Sequence, residues 1–347
     1  MARFHLTFRR LELHAANPWK LSRTQPSSCA EVVLCELTDE AGIVGRGEAA
    51  PVARYAESAE TVENFLSRIG SQLLSDDPRT TSAELDSIAS GNSAAKCAID
   101  VALWDWFGKA NRKSVCELLQ LGFQEKKHQT SFTIGIDSPE VIQSKVIEAE
   151  DFPILKIKVG SSDDAANLAA LRAVAPQKIL RADANEAWTT KEEALKQIEW
   201  LAQDGRIEFV EQPMPAVTQD RDWIWLKERS PLPIFADESY HDASGIERAA
   251  ECFHGVNVKL VKTGGISGAY KALQAARKAG LKTMIGCMLE TSILISGAAQ
   301  LAELCDYLDL DGNLLITNDP FRGVTAERGI LSFEHAPESF GIRVCPK

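Results

Sequence analysis

The chain has 347 residues, which suits one large α/β barrel beside a smaller domain and is too long for one small core. Its 45% hydrophobic and 25% charged residues are ordinary for a globular protein. A formal net charge of -11 argues against nucleic-acid binding through a broad basic surface.

The chain opens with alternating runs, FHLTFRRLEL and CAEVVLCELTDEAGIVGRGEAAP, which predict a strand meander turning at DEAG. Three helical stretches follow: SAETVENFLSRIGSQLL, TSAELDSIAS and the long NSAAKCAIDVALWDWFGKANRKSVCELLQL. In the last of these, Ala98, Val101, Ala102 and the segment from Trp104 to Trp106 give a wide apolar face. This part is expected to form an α+β domain over 1–125.

From residue 128 short apolar runs alternate with amphipathic helices. The runs are TSFTIGI, ILKIKVG, KILRADAN, IEFVEQP, PIFADES, VNVKLVK, LKTMIGCM and YLDLDG. Strand and helix alternating about every 25 residues is the pattern of a parallel (β/α) barrel, here over 126–320. An open doubly wound sheet is the rival, but TIGIDSPE is not the glycine-rich loop it would want after its first strand. The tail, 321–347, reads as strand and turn and is expected to rejoin the N-terminal domain. The eight cysteines form no CxxC pair, so neither structural zinc nor a redox motif is indicated and reduced thiols are expected. MARFHLTFRR has no apolar signal core and no run is long enough to span a bilayer, so a cytoplasmic protein is expected.

Chemistry in such barrels sits at the C-terminal ends of strands. The second strand ends with Lys156 and Lys158, the third with Asp183, the fourth with Glu211 and the fifth with Asp237; the sixth carries Lys259. The steps from Lys158 onward are 25, 28, 26 and 22 residues, one charged group per barrel unit. Three converging carboxylates call for a cation. All-oxygen ligation favours a hard divalent ion, Mg²⁺ first and Mn²⁺ second. Lys158 and Lys259 would then face each other across the barrel mouth. One would remove the α-proton of a substrate carboxylate, the metal would stabilise the enediolate, and the other would return a proton from the opposite face. Lys156, on the same strand face as Lys158, is expected to lower the base's pKa as a neighbouring ammonium.

GRGEAAPVARYAES, AAKCAIDVALWDWFGK, KIKVG, DAN, EQP, ADES and NVKLVKTGG, in that order, resemble the enolase superfamily in its muconate-lactonizing subgroup, and within it the dipeptide epimerases. The resemblance covers nearly the whole chain. It implies a modified (β/α)7β TIM-like barrel with an α+β capping domain built from both chain ends. It also implies Lys158 and Lys259 as the acid/base pair, Lys156 as helper, and Asp183, Glu211 and Asp237 as metal ligands. Lys262, in KTGG, is a rival to Lys259, which is preferred because it lies inside the strand on one face with Asn257. In YLDLDGN, Asp309 and Asp311 alternate onto one face and are expected to grip an α-ammonium group, as an Asp-x-Asp does in dipeptide epimerases. Arg23, in KLSRTQ, resembles the arginine of a mobile loop that pairs with a glutamate side chain. Thr133, Cys287, Met288 and Glu290 are expected around the substrate, Glu290 either as a polar contact or as an acid at a helix N-terminus.

The expected reaction is therefore epimerisation at the C-terminal residue of a dipeptide. Ala-Glu, as released from peptidoglycan, leads and Ala-hydrophobic dipeptides come next. Muconate cycloisomerase, o-succinylbenzoate synthase and N-acylamino acid racemase remain open on the same scaffold, as does a non-catalytic metal- or ligand-binding homologue. No nucleic-acid or membrane partner is expected, and a homo-oligomer is expected from the resemblance alone.

Overall fold

The computed structural model describes residues 4–19, 27–69 and 75–347. Strands β1 (His5–Trp19), β2 (Ser27–Thr38) and β3 (Val44–Ala49) form an antiparallel sheet in sequence order. The turn between β2 and β3 falls at DEAG. Gly42 takes φ 82° there, and the Asp39 carboxylate accepts the amides of Ala41 and Ile43 at 3.0 and 2.8 Å.

Helices α1 (Ala59–Ile69) and α3 (Ser93–Asn111) pack on this sheet and on each other, and α2 (Pro78–Ile88) packs on α3. α2 starts three residues before the apolar pattern does, because Asp77 caps the Arg79 amide at 3.0 Å and Pro78 suits a first turn. α3 is shorter than expected. Arg112 takes a left-handed conformation, φ 54°, and its N–H closes back on the carbonyls of Gly108 and Lys109. The rest of the expected helix survives as one turn, Val115–Leu118, held by the Ser114/Glu117 capping box. β3 lies so close to α3 that a Cβ on Gly47 would collide with the Ala98 carbonyl.

All eight expected barrel strands are present: β4 (Phe132–Ile134), β5 (Ile154–Lys158), β6 (Ile179–Asp183), β7 (Ile207–Glu211), β8 (Ile234–Ala236), β9 (Gly255–Lys259), β10 (Lys282–Gly286) and β11 (Tyr307–Asp309). They are parallel and pair in sequence order, and a bridge between Thr130 and Leu308 brings the last strand against the first. Helices follow the first seven strands, at 139–148, 164–174, 191–202, 220–229, 246–252, 266–278 and 292–299. The architecture is the mixed α/β one expected, a nearly closed parallel barrel beside a separate antiparallel sheet.

Alternation along the strands stacks the barrel interior in layers. The lower layer holds Phe209, Phe235, Met284 and Tyr307, with the Arg181 guanidinium 5.0 Å from the Tyr307 ring centre. Two residues further along their strands stand Asp183, Glu211, Asp237 and Asp309. The apolar layer thus forms the floor of a charged one.

The tail strands β12 (Phe321–Arg322) and β15 (Cys345–Pro346) pair, as do β13 (Thr325–Glu327) and β14 (Ile330–Ser332). The tail returns to α3, where the Ile342 amide donates to the Asp105 carboxylate at 3.0 Å. Among the described residues no helix is long and apolar enough to cross a membrane.

Candidate active site

The strand ends bring the expected charges together. Register sets Lys158 beside Asp183, and Asp183 beside Glu211. β5 and β9 are four places apart in a ring of eight, so Lys158 and Lys259 stand across the barrel from each other. Both line a cavity of about 490 Å³ at the mouth, together with Lys156, Asp237, Asp309 and Asp311. The stretch 50–55 from the N-terminal domain forms the opposite wall. Asp183 and Glu211 are completely buried and are not on the cavity wall.

Each lysine faces a carboxylate. Lys158 Nζ donates to Asp183 Oδ2 at 2.7 Å, and Lys259 Nζ to Asp237 Oδ2 at 2.8 Å. Lys156 lines the same cavity as Lys158. Its Nζ lies 2.7 Å from Asp309, 2.8 Å from Glu211 and 3.1 Å from Asp183. Burial disfavours its charge, but the Asp309, Glu211 and Asp183 carboxylates outweigh that and hold its pKa well above the ordinary lysine value. Its ammonium thus lies among three carboxyl groups.

Lys262 is not on the cavity wall. Its three donors go to the Asp237 carbonyl at 2.7 Å, the Asp237 carboxylate at 2.6 Å and the Asn257 carbonyl at 3.0 Å. Lys259 stays at the cavity, with Met288 Sδ at 3.9 Å.

The carboxylates show what their burial costs. Glu211 is pushed up to about 7, first by burial and then by neighbouring Asp183. Asp183 also suffers burial, but Lys158 and Lys156 bring it down to about 2. As the side chains stand, Asp183 and Glu211 turn to Lys156, and Asp237 to Lys259 and Lys262. No cluster of three His, Cys, Asp or Glu among the described residues is gathered tightly enough to hold an ion in this arrangement. The donor chemistry nonetheless fits a hard divalent cation: three buried carboxylates on consecutive strands, with no nitrogen or sulfur donor among them. Such an ion would take these oxygens in place of lysine contacts.

Asp309 accepts from Ser131 Oγ at 2.7 Å as well as from Lys156, and Asp311 accepts the Thr133 amide at 2.6 Å. Burial and then Asp309 push Asp311 up to about 6. Thr133, Cys287 and Met288 line the cavity as expected. Glu290 does not; it accepts the Met288 amide at 3.0 Å and so shapes the loop, and the helix beyond it is capped by Thr291. Arg23 lies outside the described residues.

Three contributors were given no role of their own in the sequence reading. Asn257 donates to Glu211 at 2.7 Å, and its place two residues before Lys259 on one strand face was the available signal. Gln212 accepts the amides of Asp237 and Ser239 at 3.0 Å each and joins the loops after β7 and β8. Glu48, fully buried at the end of β3, accepts the hydroxyl and amide of Thr291. No local pattern signals that pairing.

Comparison with known proteins agrees with this geometry. Residues 5–120 match the mandelate racemase / muconate lactonizing enzyme N-terminal domain, and residues 141–315 match the enolase C-terminal domain-like family. The chain belongs to the enolase superfamily, in its mandelate racemase and muconate lactonizing enzyme family. It is 58% identical to an L-Ala-D/L-amino acid epimerase of Pedosphaera parvula, over 97% of this chain and 98% of that one. A dipeptide epimerase of Enterococcus faecalis, solved with Mg and L-Leu-L-Tyr, superposes with a TM-score of 0.90 at 30% identity, covering 99% of each chain. The substrate-liganded L-Ala-D/L-Glu epimerase of Bacillus subtilis also gives 0.90, at 27% identity over 100% of this chain and 99% of that one.

Proposed function

We propose that this protein is a dipeptide epimerase that inverts the α-carbon of the C-terminal residue by two-lysine proton transfer. The observation that carries the reading is the placement of Lys158 and Lys259 on opposite sides of one cavity whose wall also holds Asp309 and Asp311. Whichever lysine is neutral takes the α-proton: the C–H bond breaks and an N–H bond forms. The other, as an ammonium, delivers a proton to the opposite face of the same carbon. The two lysines then hold each other's former protonation states, so the reaction runs in either direction and needs no oxidant or reductant. Mg²⁺ held by Asp183, Glu211 and Asp237 would draw charge from the substrate carboxylate and so acidify the α-proton.

Asp311, held by Thr133, together with Asp309 receives the substrate's α-ammonium. Lys156 holds Asp309 in place. Pro51, Val52, Ala53 and Leu289 give the wall an apolar stretch, beside the polar Glu31 and Arg54, and that stretch suits Ala-hydrophobic dipeptides. An Ala-Glu preference rests on Arg23 and on the peptidoglycan peptides that would supply such a substrate. The eight free thiols support a reducing, cytoplasmic location. Residues 1–125 with 321–347 act as the cap, and 126–320 as the catalytic barrel.

The test is proton NMR in D₂O with MgCl₂ and a panel of L,L-dipeptides. The α-proton signal of the C-terminal residue should vanish while a second diastereomer appears. Exchange without inversion would refute the two-base mechanism, and no exchange with any dipeptide would refute the assignment.

A further inference from the structure

The turn at Ala53–Tyr55 comes from the N-terminal domain and contacts two barrel loops, one of which is bonded to a third. The Arg54 guanidinium lies fork to fork on Glu186, Nε to Oε2 at 2.9 Å and NH2 to Oε1 at 2.8 Å. Glu186 Oε1 also accepts the Ala216 amide at 2.8 Å. The Tyr55 ring meets the His241 ring edge-on, with centroids 5.3 Å apart. These contacts share one property. Glu186 lies 3 residues past Asp183, Ala216 lies 5 past Glu211 and His241 lies 4 past Asp237. The turn therefore touches the loops after Asp183 and Asp237 directly, and through Glu186 it reaches the loop after Glu211.

Two of those loops need holding. Asn185, Glu186 and Gln212 are non-glycine residues at φ 45°, 69° and 39°, immediately beyond the ends of β6 and β7. Such backbone is unfavourable for a side-chain-bearing residue and persists where its surroundings fix it. The loops are tied to each other, with the Glu186 amide donating to the Gln212 carbonyl at 2.9 Å. Arg54 and Tyr55 add an anchor from outside the barrel.

We infer that the Ala53–Tyr55 turn is a positioning device for Asp183, Glu211 and Asp237, with Arg54 and Glu186 as its positioning residues. The inference rests on the reading of those carboxylates as divalent-cation ligands. Binding of Mg²⁺ should therefore depend on a capping-domain arginine that lies outside the ligand set. Outer contacts of this kind typically set metal affinity by about 10–100-fold.

The experiment is calorimetric titration of the full chain with Mg²⁺ in the absence of dipeptide, for the wild type, Arg54→Ala, Arg54→Lys and Glu186→Gln. Arg54→Ala and Glu186→Gln should weaken binding about tenfold or more, and Arg54→Lys, which keeps the charge and loses the fork, should weaken it less. If Arg54→Ala does not fold, as judged by circular dichroism, Arg54→Lys and Glu186→Gln carry the test. Wild-type Mg²⁺ affinity in the folded variants, with only KM for a dipeptide raised, overturns the inference and leaves the turn as a cover for substrate. A wild-type chain that binds no Mg²⁺ overturns the inference together with the ligand reading beneath it. Weakened Mg²⁺ binding in a chain that epimerises no dipeptide upholds the inference and sinks only the substrate assignment.

Discussion

Replacing Lys259 and Lys262 separately by methionine should split activity from stability. The two ammonium groups share one carboxylate, Asp237, but their surroundings differ. The Lys262 side chain is 0% exposed and donates three hydrogen bonds, at 2.6, 2.7 and 3.0 Å. Removing it strips a buried carboxylate of one partner and leaves two carbonyls without that donor. Breaking a buried ion pair costs about 3–5 kcal/mol, and Asp237 keeps Lys259, so the lower end applies. With about 2.1 cal/mol/K of unfolding entropy per residue over 347 residues, each kcal/mol shifts the midpoint by about 1.4 °C, so Lys262→Met should melt about 4 °C below the wild type. Lys259 makes one charged hydrogen bond, worth about 1.5–3 kcal/mol, and lies against Met288, where a methionine packs well. Its loss should cost less stability but remove a proton-transfer group, lowering turnover about 10²–10⁴-fold. Differential scanning calorimetry and the rate of diastereomer formation at saturating Mg²⁺ measure both quantities. The reasoning is refuted if Lys262→Met melts with the wild type while losing as much turnover as Lys259→Met.

Two further outcomes are expected. Burial, opposed by the Thr291 hydrogen bond and helped by Glu290, pushes the Glu48 carboxyl from 4.5 up to about 8 in the folded chain. A raised carboxyl pKa gives stability that is complete below pH 4.5 and is lost as pH rises through about 8, at about 1.4 kcal/mol per pH unit between them. Glu48→Gln should remove that part of the slope in melting curves from pH 5 to 9, and an unchanged slope would refute the placement. Asp311→Asn should raise KM for a free dipeptide about thirtyfold, from a lost charge contact of about 2 kcal/mol. It should leave an N-acetylated dipeptide unaffected, and equal effects on both would remove Asp311 from ammonium binding.

The barrel was legible because parallel strands buried on both faces read as continuous apolar runs, and eight such runs occur at a steady interval. The charged residues were legible because a fixed strand period puts equivalent positions at equivalent heights. What escaped is tertiary. The end of α3 lies at Arg112, an arginine in a conformation usually marked by glycine, beside the returning tail. The setting of Lys156 depends on Asp309, 153 residues away. Glu48 reaches Thr291 across 243 residues. Glu290 lies next to cavity-lining residues in sequence, and only the path of the loop turns it away.

The contact between Lys156 and Asp309 has a consequence for how the chain is made. It ties the second barrel strand to the last across the seam where the barrel closes. A nascent chain that has not yet delivered residue 309 has a lysine and two carboxylates in its interior without their final partner. Closure over so long a sequence separation comes late in folding. Ordering of the reactive groups and completion of the barrel are therefore one cooperative event, and a protein truncated before β11 should have neither.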